Sequence, residues 1–333
     1  MLKKYLTLLL FISGNTLSAQ HWQQEVNYDI RVSLDDEKHL LHAYQEIQYT
    51  NNSPDELEFI YMHLWPNAYS SKKTAFAKAK LLDGSSEFFF AKSEDMGYID
   101  SLNFLVNDQK ASLEFEQPDV AKLMLPEKLK SGQTIKITTP FRVKLPYTFS
   151  RLGHVDKQYQ ITQWYPKPAV YDHKGWHPMP YLDMGEFFSE FGRYEVSITL
   201  PANYVVGATG ILQNEEEIKF MEDLASEAKE NKQSGDHLES LTKTKTLTYI
   251  QENVHDFAWF ADKTYQVGLG EVKLQSGRIV KLKVLYNNKE DLYADALEYM
   301  ADGIKFYSEK VGEYPYDVAT VVQGALGAGG GME

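Results

Sequence analysis

Hydrophobic and polar residues alternate along much of the chain before residue 262. In residues 25–50, two alternating runs flank the acidic turn of Asp35, Asp36 and Glu37. This predicts a β-hairpin, because neighbouring side chains of a strand point to opposite faces. Further strands are predicted at 56–65, 101–106, 134–139, 194–200 and 246–252. Many short strands between polar turns indicate an antiparallel sandwich or barrel.

The pattern changes after this region, and we expect a domain boundary near Lys263. Two strand-like runs, 271–274 and 278–286, precede a helix that Asn288 can cap, and a short strand follows at 317–323. Apolar residues recur every three or four positions of the helix and predict one buried face. They are Tyr293, Leu297, Met300, Ile304, Tyr307 and Val311.

Residues 212–245 differ from the rest of the predicted sandwich, because charged side chains dominate them. This composition favours a helix-prone, solvated insertion on the surface of the domain. We assign no function to it.

The N-terminus has the layout of a targeting segment. Two lysines precede an apolar run, 5–12, and small residues follow. This predicts a signal peptide over residues 1–20, cleaved near Ala19 or Gln20. An uncleaved anchor is the alternative, although the apolar run is shorter than the roughly 20 residues that a spanning helix needs. No later run is apolar enough to span, so we expect an exported (periplasmic or secreted) protein without a transmembrane segment.

Composition and net charge exclude several classes of function. The chain has 333 residues, of which 43% are hydrophobic, and this is an ordinary globular balance. The formal net charge of -13 disfavours nucleic-acid binding, because such a surface repels phosphate. The chain contains no cysteine, which excludes disulfides, thiolate metal sites and cysteine nucleophiles.

The nine histidines do not form a recognisable metal motif. None lies in H-E-x-x-H, which places two imidazoles on one face of a helix. His173 and His177 are four residues apart, but Gly175 and Pro178 indicate a loop, where this spacing has no helical meaning. His39 and a second histidine three positions later lie on the predicted hairpin and are interpreted as structural. We therefore predict no metal ligands in this chain.

Two segments remain unusual. Residues 162–168 combine aromatic rings, prolines and the amide of Gln163, which suits a rigid lip on a cleft. The other segment comprises Gly330, Gly331, Met332 and Glu333. Its bare glycine backbone can pair with an extended peptide, and the carboxylate after it can point at a cation.

These segments, in this order, resemble the zinc aminopeptidase (gluzincin) family of aminopeptidase N and leukotriene A-4 hydrolase. Gly331, Met332 and Glu333 look like the start of its G-x-M-E-N signature, and Thr162 and Gln163 resemble a T-Q segment of its N-terminal domain. Other similar stretches are 181–183, 196–201, 206–210 and 254–259, while 61–68 resembles the exported bacterial branch of the family.

The resemblance implies a mainly β fold: an antiparallel N-terminal β-sandwich over 21–263, with the charged insertion 212–245, and then the first strands and helix of a thermolysin-like α+β catalytic domain over 264–333. The chain would then be truncated inside the G-x-M-E-N motif. The family's H-E-x-x-H zinc motif and catalytic tyrosine would lie downstream. This chain would therefore contain no catalytic residue and would be inactive.

The resemblance also implies roles for individual residues. Glu333 would bind the free α-amine of a peptide substrate, and Gly330 and Gly331 would lie along the substrate backbone. Gln163 would help hold the N-terminal residue from the sandwich side. The intact protein would remove N-terminal residues from peptides with zinc as cofactor. The family often has an acidic or amide side chain two residues after this glutamine, and here the position is Tyr165.

A second function class stays open. The chain would then be a non-catalytic, exported β-sandwich protein that binds a peptide or a glycan, with the glycine-rich run as its natural end.

Overall fold

A computed structural model describes residues 22–228, 239–287 and 295–325 of the chain. The predicted signal peptide lies outside the described residues, as do Asn288, Tyr293, Gly330, Gly331 and Glu333.

Strands predominate over helices in the described residues. The helices are α1 (Ala75–Leu82), α2 (Glu87–Phe90), α3 (Glu215–Ala228) and α4 (Ala296–Lys310). The first strands are β1 (Glu25–Asp35), β2 (Leu40–Thr50), β3 (Leu57–His63), β4 (Tyr98–Asp100), β5 (Leu105–Val106), β6 (Gln109–Lys110), β7 (Leu113–Gln117), β8 (Val120–Leu129), β9 (Thr134–Lys144), β10 (Gly153–Val155) and β11 (Gln158–Ile161). The later strands are β12 (Lys167–Pro168), β13 (Tyr171–Asp172), β14 (Gly175–Trp176), β15 (Gly192–Pro201), β16 (Val205–Ala208), β17 (Ile211–Leu212), β18 (Thr244–Val254), β19 (Trp259–Asp262), β20 (Gln266–Lys273), β21 (Ile279–Tyr286) and β22 (Val318–Val322).

The largest sheet is built on the predicted hairpin. β1 and β2 pair antiparallel over their whole length, and the order across the sheet is β17-β18-β15-β1-β2-β9-β5-β6, with β4 also on β9. The alternation seen in the sequence sets which face is buried: Val26, Ile30 and Ile47 are fully inside. One neighbouring pair, β1 with β15, is parallel within this otherwise antiparallel sheet.

Two four-stranded sheets pack with the large sheet. Their orders are β12-β3-β8-β7 and β10-β11-β19-β16. One hydrophobic cluster contains buried side chains from all three sheets, among them Ile30, Met62 and Trp259. The expected mainly β architecture with an N-terminal sandwich is therefore confirmed.

A separate three-stranded sheet follows, in the order β20-β21-β22, with β21 and β22 parallel. Its own small core contains Val272, Leu274, Val280 and Leu282, against which α4 packs. Leu297 of α4 lies over Gly268 and Gly270, which have no side chain to hold it away. This is consistent with the predicted change of architecture near Lys263, although the boundary itself stays a prediction.

Contact between this sheet and the sandwich is close at Gly207 in β16. A Cβ placed there would lie 2.6 Å from Leu285 Cδ1 and 2.8 Å from Val322 Cγ2. The absence of a side chain therefore lets the two sheets approach each other. The hydroxyl of Tyr316 also donates to the carbonyl of Asn253 at 2.7 Å.

The charged insertion is not wholly solvated, and the expectation for it is wrong in this respect. Met221 and Ala225 of α3 are buried, and Glu217 is 7% exposed with its carboxylate 2.6 Å from Lys245 Nζ. α3 also contacts β20. In the sequence, charged residues outnumber the few apolar residues of α3. Those apolar residues are nevertheless spaced to lie on one face, so α3 is an amphipathic helix.

The last helix differs from its prediction in how much of its apolar face is covered. Its described part begins at Ala296, and the predicted start near residue 288 lies outside the described residues. Met300 and Ile304 pack on the small core, whereas Tyr307 is 64% exposed and Val311 is 83% exposed. Helical spacing defines a face, but it does not show how much of that face finds a partner.

The strand predicted at 101–106 is also wrong in part. Only Leu105 and Val106 pair as β5, while β4 ends at Asp100, and Ser101 between them has a positive φ of 61°. Such a backbone cannot continue a strand. Among the described residues, no helix is long and apolar enough to cross a membrane.

Candidate functional site

The segment that contains Gln163 connects two sheets of the sandwich. It leaves β11 at Ile161 and enters β12 at Lys167. Gln163 has φ 53°, in the left-handed region that costs a non-glycine residue about 1 kcal/mol or more. Surrounding contacts must therefore hold this conformation.

Those contacts come from the loop between β18 and β19. Trp164 donates its ring N–H to the carbonyl of Phe257 at 3.0 Å, and Gln163 donates Nε2–H to Oδ2 of Asp256. The hydroxyl of Tyr165 donates to Oδ1 of the same carboxylate at 2.7 Å. Asp256 is therefore the point at which the two segments are joined.

Lys167 completes this group. Its Nζ lies 2.9 Å from Asp256 Oδ1 and donates to Gln163 Oε1 at 3.0 Å. The side chain is 1% exposed, and the ammonium lies over the rings of Trp65 and Tyr165, at 5.1 and 5.2 Å from their centroids. A carboxylate, an amide oxygen and two aromatic faces thus compensate for the lost hydration of this charge. We call Gln163, Tyr165, Lys167 and Asp256 the Gln163 group.

The electrostatics of the group keep the carboxylate ionised. Burial on its own would raise the pKa of Asp256, but the charge of Lys167 and the hydrogen bonds from Tyr165 and Lys167 outweigh it and lower the pKa. The backbone N–H of Phe257 also donates to Oδ1, at 2.8 Å. The result is a fixed, hydrogen-bonded ion pair directly beside Gln163.

A neutral histidine lies next to the group. His63 is fully buried and stacks on Trp65 with the ring centroids 4.3 Å apart. Burial, with the nearby Lys167 charge, lowers the pKa of His63 to about 3. An uncharged ring here avoids a second cation beside Lys167.

The amide of Gln163 already forms hydrogen bonds inside the protein. Its nitrogen donates to Asp256 and its oxygen accepts from Lys167, and the residue is 6% exposed. A primary amide has a second N–H and a second lone pair, so each end can form one further bond. Its predicted role in holding a substrate N-terminus stays a prediction, as do the roles of Gly330, Gly331 and Glu333.

The expectation that the aromatic rings of residues 162–168 form the lip of a cleft is wrong. Trp164 and Tyr165 are at most 1% exposed, because their rings pack into the sandwich core. Farther along the family-like stretch, the hydroxyl of Tyr181 lies 2.8 Å from Ser150 Oγ, and Asp183 pairs with Lys80 at 3.0 Å.

The histidine loop contributes no side chain to the Gln163 group. The two-residue strands β13 and β14 form a small hairpin around His173, and His177 Nε2 lies 2.9 Å from Asp172 Oδ1. Across residues 22–228, 239–287 and 295–325, no group of three or more His, Asp or Glu side chains is placed to hold a metal ion.

Sequence reasoning missed Lys167 and Asp256 as members of the group. A signal was present, because each is a single charged residue inside an aromatic, apolar stretch. Charges of that kind are seldom buried unless they are paired. Their partnership across 89 positions of sequence had no local pattern that could reveal it.

Comparison with solved structures shows which known proteins have a similar fold. An M1 zinc metallopeptidase from Deinococcus radiodurans is similar with a TM-score of 0.54 at 13% identity, over 90% of this chain and 56% of that chain. The same values hold for a mutant of that enzyme bound to a Tyr-Ser-Ala substrate. Legionella pneumophila aminopeptidase A, in complex with aspartic acid, gives 0.52 at 12% identity, over 90% of this chain and 28% of that chain.

The likeness shows a shared fold with the N-terminal portion of M1 zinc aminopeptidases. This chain spans about half the length of the Deinococcus metallopeptidase, 56%. No family model matches the sequence, and no curated protein matches it.

Proposed function

We propose that this chain is the N-terminal portion of a zinc-dependent, aminopeptidase-like metallopeptidase that removes N-terminal residues from peptides. One observation carries the proposal: 90% of the chain follows the fold of M1 zinc metallopeptidases, across the sandwich and into the sheet after it. The order of the family-like segments along the sequence supports the same assignment.

In this proposal, the chain's own residues bind and orient the peptide. Glu333 accepts hydrogen bonds from the α-amine of the substrate, and Gly330 and Gly331 pair with its backbone. Gln163 contributes one free N–H and one free lone pair from the sandwich side, while the ion pair of Lys167 and Asp256 keeps its amide in place. That fixed geometry is the reason to place an amine-recognition role on this glutamine.

Zinc belongs to the proposed intact enzyme, in which it would activate a water molecule. The described residues do not supply its usual three protein ligands, so we derive no step through the metal for this chain. An amine held by Glu333 gains about 1.5–3 kcal/mol from a charge-assisted hydrogen bond. Enzymatic rate enhancement needs about 8 kcal/mol or more. Substrate anchoring alone therefore leaves the present chain without peptidase activity.

Metal content and hydrolysis of aminoacyl chromogenic substrates test the proposal. The 333-residue chain should retain no stoichiometric zinc after dialysis and show no turnover. The complete product of the gene should hold one zinc per chain and lose its turnover to a chelator. Turnover by the 333-residue chain, or a complete product without zinc and without activity, would contradict the proposal.

Two substitutions in the complete product test the residue roles. Glu333→Gln should lower kcat/KM by about tenfold or more, because a charge-assisted bond is lost. Gln163→Asn keeps an amide and a residue type that tolerates positive φ, but shortens its reach, and should raise KM. Gln109→Asn on the exposed strand β6 is the matched control and should change neither.

We further propose that the protein is exported after removal of residues 1–20. The basic residues, apolar run and small-residue site of the sequence support this. Cell fractionation and N-terminal sequencing of the mature protein test it. A mature N-terminus at Met1 in the cytoplasm would contradict it.

A further inference from the structure

A small pocket beside the β13–β14 hairpin is separate from the Gln163 group, with which it shares no residue. Its volume is about 90 Å³, which is room for several water molecules or one small head group. The residues that line it are Trp22, Gln23, Val170, Tyr171, Asp172, His173, Phe188 and Glu190.

A buried carboxyl group lies in this pocket. Glu190 is 4% exposed, and its Oε1 has no hydrogen-bond partner in the described part of the chain. Buried polar atoms are almost always satisfied, so a carboxyl oxygen without a partner, on a residue that lines a cavity, points to a missing partner. A second carboxylate, Asp172, lines the same cavity.

Aromatic rings form the other walls. The rings of Trp22 and Tyr171 lie 5.5 Å apart, and a hydrogen bond of 2.7 Å from the Tyr171 hydroxyl to Asp55 fixes the second of them. Phe188 is 42% exposed and makes an edge contact with His177 at 5.3 Å. The exposed ring leaves the pocket within reach of solvent.

We propose that this pocket binds a small organic ammonium ion. Aromatic faces attract a cation through their quadrupole, and they tolerate its alkyl groups at the same time. The buried Glu190 carboxylate supplies the opposite charge, and Asp172 adds a second one at the wall. A neutral apolar ligand would leave Oε1 of Glu190 without a partner, and an anion would meet two carboxylates. The walls therefore select a positive, partly apolar group.

The ionisation of Glu190 gives the site a pH dependence. Burial raises the pKa of Glu190 to about 7, and the nearby Asp172 adds to the rise, while backbone N–H groups of Tyr171 and Gln24 oppose it. The affinity for a cation should therefore increase as the pH rises through about 7. The other titratable groups around the carboxyl are Asp172, His173, Tyr171, Tyr49 and Tyr28, with His177 in contact with Asp172.

Titration calorimetry of the full chain with choline chloride at pH 8.5 tests the proposal. We expect binding in the millimolar range, and none by 3,3-dimethylbutanol, the uncharged isostere of choline. Glu190→Gln keeps the shape and removes the charge, and should weaken choline binding by about tenfold or more. The matched control, Glu186→Gln, removes an exposed charge nearby and should change the affinity by less than about twofold.

Two further measurements distinguish a loss of binding from a failure of the variant to fold. Phe188→Ala removes an exposed wall and should also weaken choline binding, whereas Phe90→Ala, at 75% exposure elsewhere, should not. Between pH 6 and 8.5 the wild-type affinity should rise roughly tenfold, and Glu190→Gln should lose most of that rise. No choline binding by the wild type, equal binding of the uncharged isostere, or an unaltered affinity and pH profile in Glu190→Gln would overturn the proposal.

Discussion

The Gln163 group and the last helix differ in how far their side chains are paired and buried. In the group, Asp256 and Lys167 are paired with each other, and the rings around them are buried. In α4, no residue is fully buried, and Tyr307 and Val311 lie open to solvent. The Gln163 group thus pairs its own charges inside the protein, whereas α4 presents apolar surface that the described residues leave uncovered.

This difference separates two kinds of stability. The Gln163 group should be rigid, because each of its members is held by others across long stretches of sequence. The second half of α4 should depend on its intrinsic helical propensity, which is marginal for a single helix in water. In the proposed intact enzyme, the polypeptide downstream would cover that surface.

The largest expected effect comes from breaking the ion pair. Asp256→Asn leaves the Lys167 charge buried without its counter-ion and should lower the free energy of unfolding by about 3–5 kcal/mol, measured by urea denaturation. The matched control is Glu58→Gln, which breaks an exposed pair with Lys128 and should lower the free energy of unfolding far less, because solvent screens that pair. Equal effects of the two substitutions would remove the contrast between the sandwich interior and its surface.

A smaller effect is expected within α4. Leu297→Ala removes a partly buried side chain that packs over Gly268 and Gly270, and should cost about 2 kcal/mol. Tyr307→Ala, at 64% exposure farther along the helix, should stay within about 0.5 kcal/mol. Hydrogen exchange should also protect the first half of the helix more than the second. A large loss of stability for Tyr307→Ala would show that its ring has a partner.

Much of this contrast could be predicted, and part of it could not. Period-2 alternation located the hairpin of β1 and β2, because burial on one face leaves a local pattern. Helical spacing likewise located α4. The pairing of Lys167 with Asp256 depends on how two loops meet in three dimensions, so no local pattern records it. The exposure of Tyr307 depends on what lies opposite the helix, which spacing does not contain. The buried face of α3 was hidden by its charge runs.

The next test concerns the joint between the sandwich and the three-stranded sheet, where β16 meets β21 and β22. Gly207→Ala places a methyl group against Leu285 and Val322, and should cost about 1 kcal/mol, since the atoms that must move are ends of side chains. Gly303→Ala in α4 meets nothing within 4 Å and should be stabilising by up to about 1 kcal/mol. Faster hydrogen exchange in β22 for the first variant alone would confirm the joint, and identical exchange in both variants would count against it.

The smallest effect concerns pH. His154 stacks on His39 with the ring centroids 3.6 Å apart, and burial, with the neighbouring His39, lowers the pKa of His154 to about 4. The folded pKa lies below the unfolded value of about 6.5. The contribution to stability is therefore complete above about pH 6.5 and is lost as the pH falls towards 4.

This loss should be about 1 kcal/mol, because solvent still reaches part of the ring. The other groups that act on His154 are Lys144 and the backbone carbonyl of Asp156. His154→Gln should flatten the decline of unfolding free energy between pH 6.5 and 4, and His42→Gln on the exposed side of β2 should leave it unchanged. If unfolding free energy declines with the same slope in both variants, groups other than His154 cause the decline.

The central claim is that the chain is the N-terminal part of a zinc aminopeptidase-like enzyme. Sequencing the gene beyond the codon for Glu333 tests it most directly. The claim predicts an Asn or Tyr, then Pro, and an H-E-x-x-H motif within a few tens of residues, with a further Glu to complete the zinc ligands. A stop codon directly after Glu333 in the authentic gene would contradict it and favour a non-catalytic binding protein.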